Sequence, residues 1–297
     1  MRRAKTALIL VALALALVLV IFIGLRWLSS RQYGGWGGLP IVGDRCTAVA
    51  DQYSGSMTPE QAGNAAIIVG EAIRRGLPPR AATIALVAAW QESGLRNLDY
   101  GDRDSLGLFQ QRPSQGWGSE EEIMNPWYAS GKFYKTLVKV HDWQSQDIND
   151  AAQAVQRSGF PNAYAKHESK GRAWASNLTG QTQAGVRCVA NDGDGGGGEE
   201  LVKLLNKVWK KKLPIDQTDS VIKVTTPNPS TAWSVAQLSM IQLAAYGMTS
   251  IQVGQSYWQH SSSTMAQWVT IDPNSSGIGD DSPDPNLSDS QVIVRLR

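Results

Sequence analysis

The sequence predicts a mainly helical domain, preceded by one transmembrane helix and followed by a small α+β domain. Three observations carry this reading. An uncharged apolar run covers residues 6–25, behind a basic tip that holds Arg2, Arg3 and Lys5. Helix start and stop signals recur through residues 58–178, with few strand patterns among them. Four consecutive glycines from Gly195 then separate that region from a stretch of different composition with alternating apolar residues. The chain accordingly divides into a cytoplasmic tip and anchor (1–31), a stalk (32–45), a helical domain (46–190), a glycine-rich linker (191–200) and an α+β accessory module (201–297).

As a helix, residues 7–25 span about 28 Å at 1.5 Å per residue, close to the roughly 30 Å of bilayer hydrocarbon. A cleaved signal peptide would have a shorter apolar region and an Ala-x-Ala type site, so an uncleaved anchor is expected. Basic residues ahead of the run keep that end cytoplasmic, against the weaker opposing pull of Arg26 and Arg31. The expected localisation is the cell membrane, single-pass, with the bulk of the chain outside. Residues 29–43 are polar and glycine-rich, as in a short stalk.

Thr58-Pro59-Glu60-Gln61 opens a helix, with Thr58 as N-cap, Pro59 at the first helical position and Gln61 completing a capping box. It ends near Gly76. A central helix follows over 79–92, and from Ala81 to Trp90 only Thr83 is polar, so it should be buried on all sides. A long loop runs on through Trp117. Asn125-Pro126 repeats the cap-and-proline start of a helix whose stripe is Phe133, Leu137 and Val140, and further helices are predicted over 147–157 and 166–178. Beyond the glycines, 201–212 reads as an amphipathic helix, 221–224 as extended chain, and 230–246 as a helix stopped by Gly247. Residues 251–253 and 292–296 alternate like strands around a low-complexity insertion at 273–290. The linker implies that this module moves independently.

Charge excludes one class of partner. Residues 1–31 hold five basic side chains and no acids, and the other 266 carry 23 basic and 26 acidic residues, a net charge of −3. No nucleic-acid surface is indicated. Lys203, Lys207, Lys210, Lys211 and Lys212 form a local basic cluster, read as a solvated helix face that could lie against anionic polymers. The two cysteines, Cys46 and Cys188, bracket the helical domain. In an exported chain they are expected to form a disulfide, the alternative being two buried thiols. Closing so long a loop stabilises by about 5 kcal/mol on the chain-entropy model.

The chemistry centres on Gln91-Glu92-Ser93-Gly94 and, downstream, Gly107-Leu108-Phe109-Gln110. On helical spacing Glu92 continues the row Ala81, Ile84, Ala85 and Ala88, so its carboxylate leaves the core along an apolar wall. Apolar surroundings and the negative end of a helix both disfavour an anion, which suits a general acid for a glycosidic oxygen. These residues resemble the catalytic core of soluble lytic transglycosylases and goose-type lysozymes, whose pattern is Glu-Ser, Gly-Leu-Met-Gln and a later Ala-Tyr-Asn-Ala-Gly. The first two motifs match. The third has a loose counterpart in Ala154-Val155-Gln156-Arg157-Ser158-Gly159, without the Tyr-Asn pair. The resemblance covers about residues 58–180 and implies a lysozyme-like helical fold outside the membrane, in the cell-wall space. It makes Glu92 the acid/base for cutting peptidoglycan strands, with Gln110 orienting Glu92 or holding sugar and Phe109 packing beneath.

Ser93, Phe109, Gln110, Trp117 and Tyr164 are the candidate substrate-binding residues; Trp117 and Tyr164 are the best-placed groove aromatics among many that should be core. Asp104, Asp102 and Asp99 lie between the motifs, and each is a candidate second carboxylate, which hydrolysis needs and transglycosylation does not. Turn-forming aspartates are the plainer explanation. A hard-cation site there fits no established loop, and His141, His167 and His260 have no zinc-ligand spacing. Neither a metal nor a cofactor is expected. Neither cysteine has the context of a Cys-His peptidase nucleophile. The expected partners are peptidoglycan, the membrane through one N-terminal helix, and an envelope protein for the C-terminal module. The competing reading is a non-catalytic peptidoglycan-binding or envelope-assembly protein that retains the cleft.

Overall fold

The computed structural model describes residues 43–191, 197–272 and 282–297. The predicted anchor, almost all of the stalk, the centre of the glycine linker and the first half of the insertion lie outside the described residues. The fold is mixed α and β, which corrects the expectation of a mainly helical, lysozyme-like domain. Two antiparallel sheets, of three and six strands, are present. Among the described residues no helix is long and apolar enough to cross a membrane.

The first sheet was hidden by its composition. Strands β1 (Arg45–Ala50) and β2 (Tyr53–Met57) form a hairpin, and β3 (Val186–Val189) joins the other edge of β1. Their residues are largely small or polar. In β1 the inward row is Cys46, Ala48 and Ala50, which is period two written in small side chains. Cys46 lies opposite Cys188 in the ladder, and the two form the expected disulfide across 142 residues.

Helix α1 (Pro59–Arg74) begins with the predicted capping box: the Thr58 side chain accepts from the Gln61 N–H, and the Gln61 side chain accepts from the Thr58 N–H. On its inner face Glu71, only 1% exposed, is held by Arg74 and Arg75 at 2.6 Å each. Such a pair of partners offsets the cost of burying a carboxylate. Helix α2 (Pro79–Ser93) is buried at every residue from Ala81 to Trp90, as its apolar pattern requires. It is surrounded by α1, α4 (Pro126–Leu137), α5 (Ile148–Gln156) and α6 (Glu168–Leu178), with the short α3 (Glu120–Met124) packed on α4. Gly94 ends α2 in the left-handed region, φ 64°, where its N–H bonds the Trp90 carbonyl.

Past the linker come α7 (Gly198–Val208), β4 (Ile215–Gln217), β5 (Val221–Thr225), α8 (Pro229–Met240), α9 (Leu243–Tyr246), β6 (Met248–Val253), β7 (Ser256–Gln259), β8 (Val269–Thr270) and β9 (Gln291–Leu296). The sheet order is β4-β5-β9-β6-β7-β8. Helix α8 covers β6 and β9 on one side and meets α6 and β3 on the other. Gln237, fully buried, accepts from the Val186 N–H and donates to the carbonyls of Asn177 and Thr182. Ser234 donates to the Leu178 carbonyl at 2.6 Å, and Trp268 to that of Val186 at 3.0 Å. Asp44–Arg297 is therefore one compact unit with one continuous core, and the module past the glycines is packed against the helical part rather than free of it.

Candidate active site

Helix α2 delivers Glu92 to the lining of an open cleft of about 950 Å³. The carboxylate is partly exposed, and the buried Tyr164 donates its hydroxyl to Oε1 at 2.6 Å. Burial first, and then the bond to Glu92, push the Tyr164 phenol well above its ordinary pKa, so it is a constant donor. Glu92 thus leaves the buried part of α2 with its carboxyl group held in place by one hydroxyl donor. Tyr164 was expected as a groove residue that meets sugar. It is 0% exposed and does not line the cleft, and its hydroxyl meets the site at the Glu92 carboxylate.

Ser93 ties the two motifs together. Its hydroxyl lies 3.1 Å from the Ala89 carbonyl and 2.8 Å from that of Leu108, and accepts from the Arg96 N–H. This fastens the Gly107–Gln110 loop to the end of α2 and leaves the hydroxyl occupied by protein. Gly107, at φ 75°, is required there because a Cβ would meet the Ile123 carbonyl at 2.9 Å. Gln110 is left-handed too, φ 46°, a conformation that costs a non-glycine residue and recurs at functional sites. Its amide donates to the carbonyls of Tyr100 and Gly107, and its side chain lines the cleft with that of Glu92. Phe109 is buried and stacks on Phe133 with centroids 4.7 Å apart. Trp117 is half-buried on the cleft wall.

The three aspartates separate clearly. Asp104 is bonded by Arg112 Nε at 2.6 Å and by the Ser114 N–H at 2.8 Å. Hydrogen bonds from Ser114, then Arg112, hold its carboxyl far below the usual range. Both oxygens are used in shaping the loop. Asp102 lines the cleft and is strongly exposed, with Arg103 at 3.9 Å. Asp99 is exposed and does not line the cleft. Among the described residues no group of histidine, cysteine and acidic side chains is arranged to hold a metal.

Several cleft residues were not singled out from sequence. Gln156, on α5, donates to the Phe109 carbonyl at 2.9 Å and so stands behind the loop where the third motif was sought. Lys132 and Lys135, three apart on α4, and Lys139, just past its end, line the cleft. Tyr100 and Phe160 are 68% and 76% exposed, in loops adjoining the cleft-lining Asp102 and Ser158. Comparison with protein-family models and with curated proteins finds no match to this chain.

Proposed function

We propose that this protein cleaves the glycan strands of peptidoglycan outside the membrane, between N-acetylmuramic acid and N-acetylglucosamine, with Glu92 as general acid/base. The observation that carries the reading is Glu92 itself: a carboxyl group at the end of a buried helix, in the lining of an open cleft, fixed by a donor that does not ionise. A group that only grips sugar has no need of such a setting. Glu92 gives its proton to the glycosidic oxygen as the C–O bond breaks. Its carboxylate then takes a proton from the sugar's primary hydroxyl, which closes on the anomeric carbon to give an anhydro product, or from water, which gives a reducing end. The engagement of both Asp104 oxygens supports the first course, since that carboxylate is not free to activate water. The outward location rests on the basic tip and apolar run of residues 1–25.

The test is digestion of purified peptidoglycan by Asp44–Arg297, wild type beside Glu92→Gln, with released fragments weighed by mass spectrometry. Anhydro-muramyl products are expected from the wild type and a loss of at least about a thousandfold in the variant. Reducing-end products would make the enzyme a muramidase and return attention to Asp102. Binding to the wall without release of fragments by the wild type would leave the protein a non-catalytic binding or assembly factor.

A further inference from the structure

The cleft is positive, although the chain beyond residue 31 has a net charge of −3. Its lining holds two acids, Glu92 and Asp102, and six bases. Arg112 is neutralised by Asp104, and Arg103 faces Asp102. That leaves Lys132, Lys135 and Lys139 along α4 and just past its end, and Arg157 at the C-terminus of α5, held left-handed at φ 53°. Lys132 lies over the Tyr128 ring at 5.3 Å. Lys135, Lys139 and Arg157 are exposed and form no ion pair among the described residues. Like charges so spaced repel one another unless an anion lies between them.

We infer that this wall recognises an acidic glycan, by its carboxylate substituents, while the sugar rings lie over Glu92. The inference rests on the glycan-cleavage reading and adds to it the side chains that select the strand, Lys135, Lys139 and Arg157. A neutral polymer of N-acetylated sugars gains nothing from three unpaired cations. A strand whose sugars bear carboxylates, on a lactyl ether or on an attached peptide, brings them beside the reacting bond. The half-buried Trp117 suits the face of a ring. A long phosphate polymer fits less well, because outside the cleft it would cross a surface of the opposite net charge.

The experiment uses the full-length protein. Binding of peptide-bearing glycan fragments to the Glu92→Gln protein is measured with their carboxyls native and with the same carboxyls converted to methylamides. It is then repeated with Lys135→Gln, Lys139→Gln and Arg157→Gln added together. Affinity should fall roughly tenfold on either change, and the difference should shrink as salt rises. Equal affinity for native and masked fragments, or no effect of the triple substitution in a folded protein, overturns the inference. So does displacement by an oligonucleotide at lower concentration than by the acidic fragment, which would make the wall a phosphate site. Cleavage by the wild-type protein separates the two readings. Equal turnover of native and masked strands removes the carboxylate preference and keeps the enzyme. No turnover of either removes the enzyme, and the binding comparison alone then decides for or against the acidic-glycan wall.

Discussion

Two side chains, Tyr164 and His167, have roles that can be measured singly. Tyr164 positions the carboxyl group and touches no solvent, so Tyr164→Phe removes one charge-assisted hydrogen bond and nothing of the packing. Cleavage should fall roughly tenfold to a hundredfold in kcat with KM unchanged, as for a lost hydrogen bond to a charged group. A change in KM alone would mean that Tyr164 serves sugar binding. His167 has a different effect. Burial first, then Lys166 and Lys170, push its imidazole down to about 4, against 6.5 ordinarily. Between those values the unfolded chain takes up a proton that the native state refuses, so stability falls as pH drops from about 6.5 to about 4 and changes no further below. The loss attributable to this group is about 2 kcal/mol after allowance for its partial solvent contact. Urea unfolding at pH 7 and pH 4.5 should show a smaller loss in His167→Gln than in the wild type; equal losses would remove His167 as the cause.

At the scale of elements, what the sequence makes legible is local and what it hides is not. The capping box at Thr58, the all-round burial of α2 and the cap-and-proline start at Asn125 were readable because each signal lies within a few residues of the structure it specifies. The predicted helix over 230–246 is also present, but divided near Ile241 into α8 and α9. Strands β1 and β3 meet across more than a hundred residues, and β1 carries its β-branched residues, Thr47 and Val49, on the outward face and only small ones inward, so only the cysteines pointed to the pairing. In the site, Glu92 and the Gly107–Gln110 loop were found because helix and turn signals place them. The Tyr164–Glu92 bond and the support of the loop by Gln156 depend on segments that come together only in the fold. The stop at the end of α2 can be tested without ambiguity. A Cβ at Gly94 would meet nothing within 4 Å, so Gly94→Ala adds only the cost of a left-handed backbone, about 1–2 kcal/mol. Chemical denaturation should show that loss, and a neutral result would mean that the turn relaxes into another conformation.

For the whole molecule, the decisive observation is that four glycines in sequence do not make two independent bodies in space. The disulfide ties β1 to β3, and β3 in turn lies against α8, whose other face covers the six-stranded sheet. Gln237 sits at the centre of this joint, with its carbonyl on the Val186 N–H and its amide on two carbonyls of the helical part. A shared core and a shared set of buried hydrogen bonds couple the unfolding of the two parts, because neither can open without stranding polar groups of the other. Calorimetry of Asp44–Arg297 should therefore give one transition, with calorimetric and van't Hoff enthalpies in agreement. Gln237→Ala removes a hydrogen bond from three backbone groups and leaves the buried Val186 N–H without its acceptor, while the Asn177 carbonyl keeps the Gly180 N–H; it should lower stability by about 2 kcal/mol while the transition remains single. Two separated transitions in the wild type would restore the independent module that the glycine run suggests. A split only in the variant would show that Gln237 is the coupling itself, and the cleft, built wholly by the helical part, should then keep its affinity for glycan after the second part has melted.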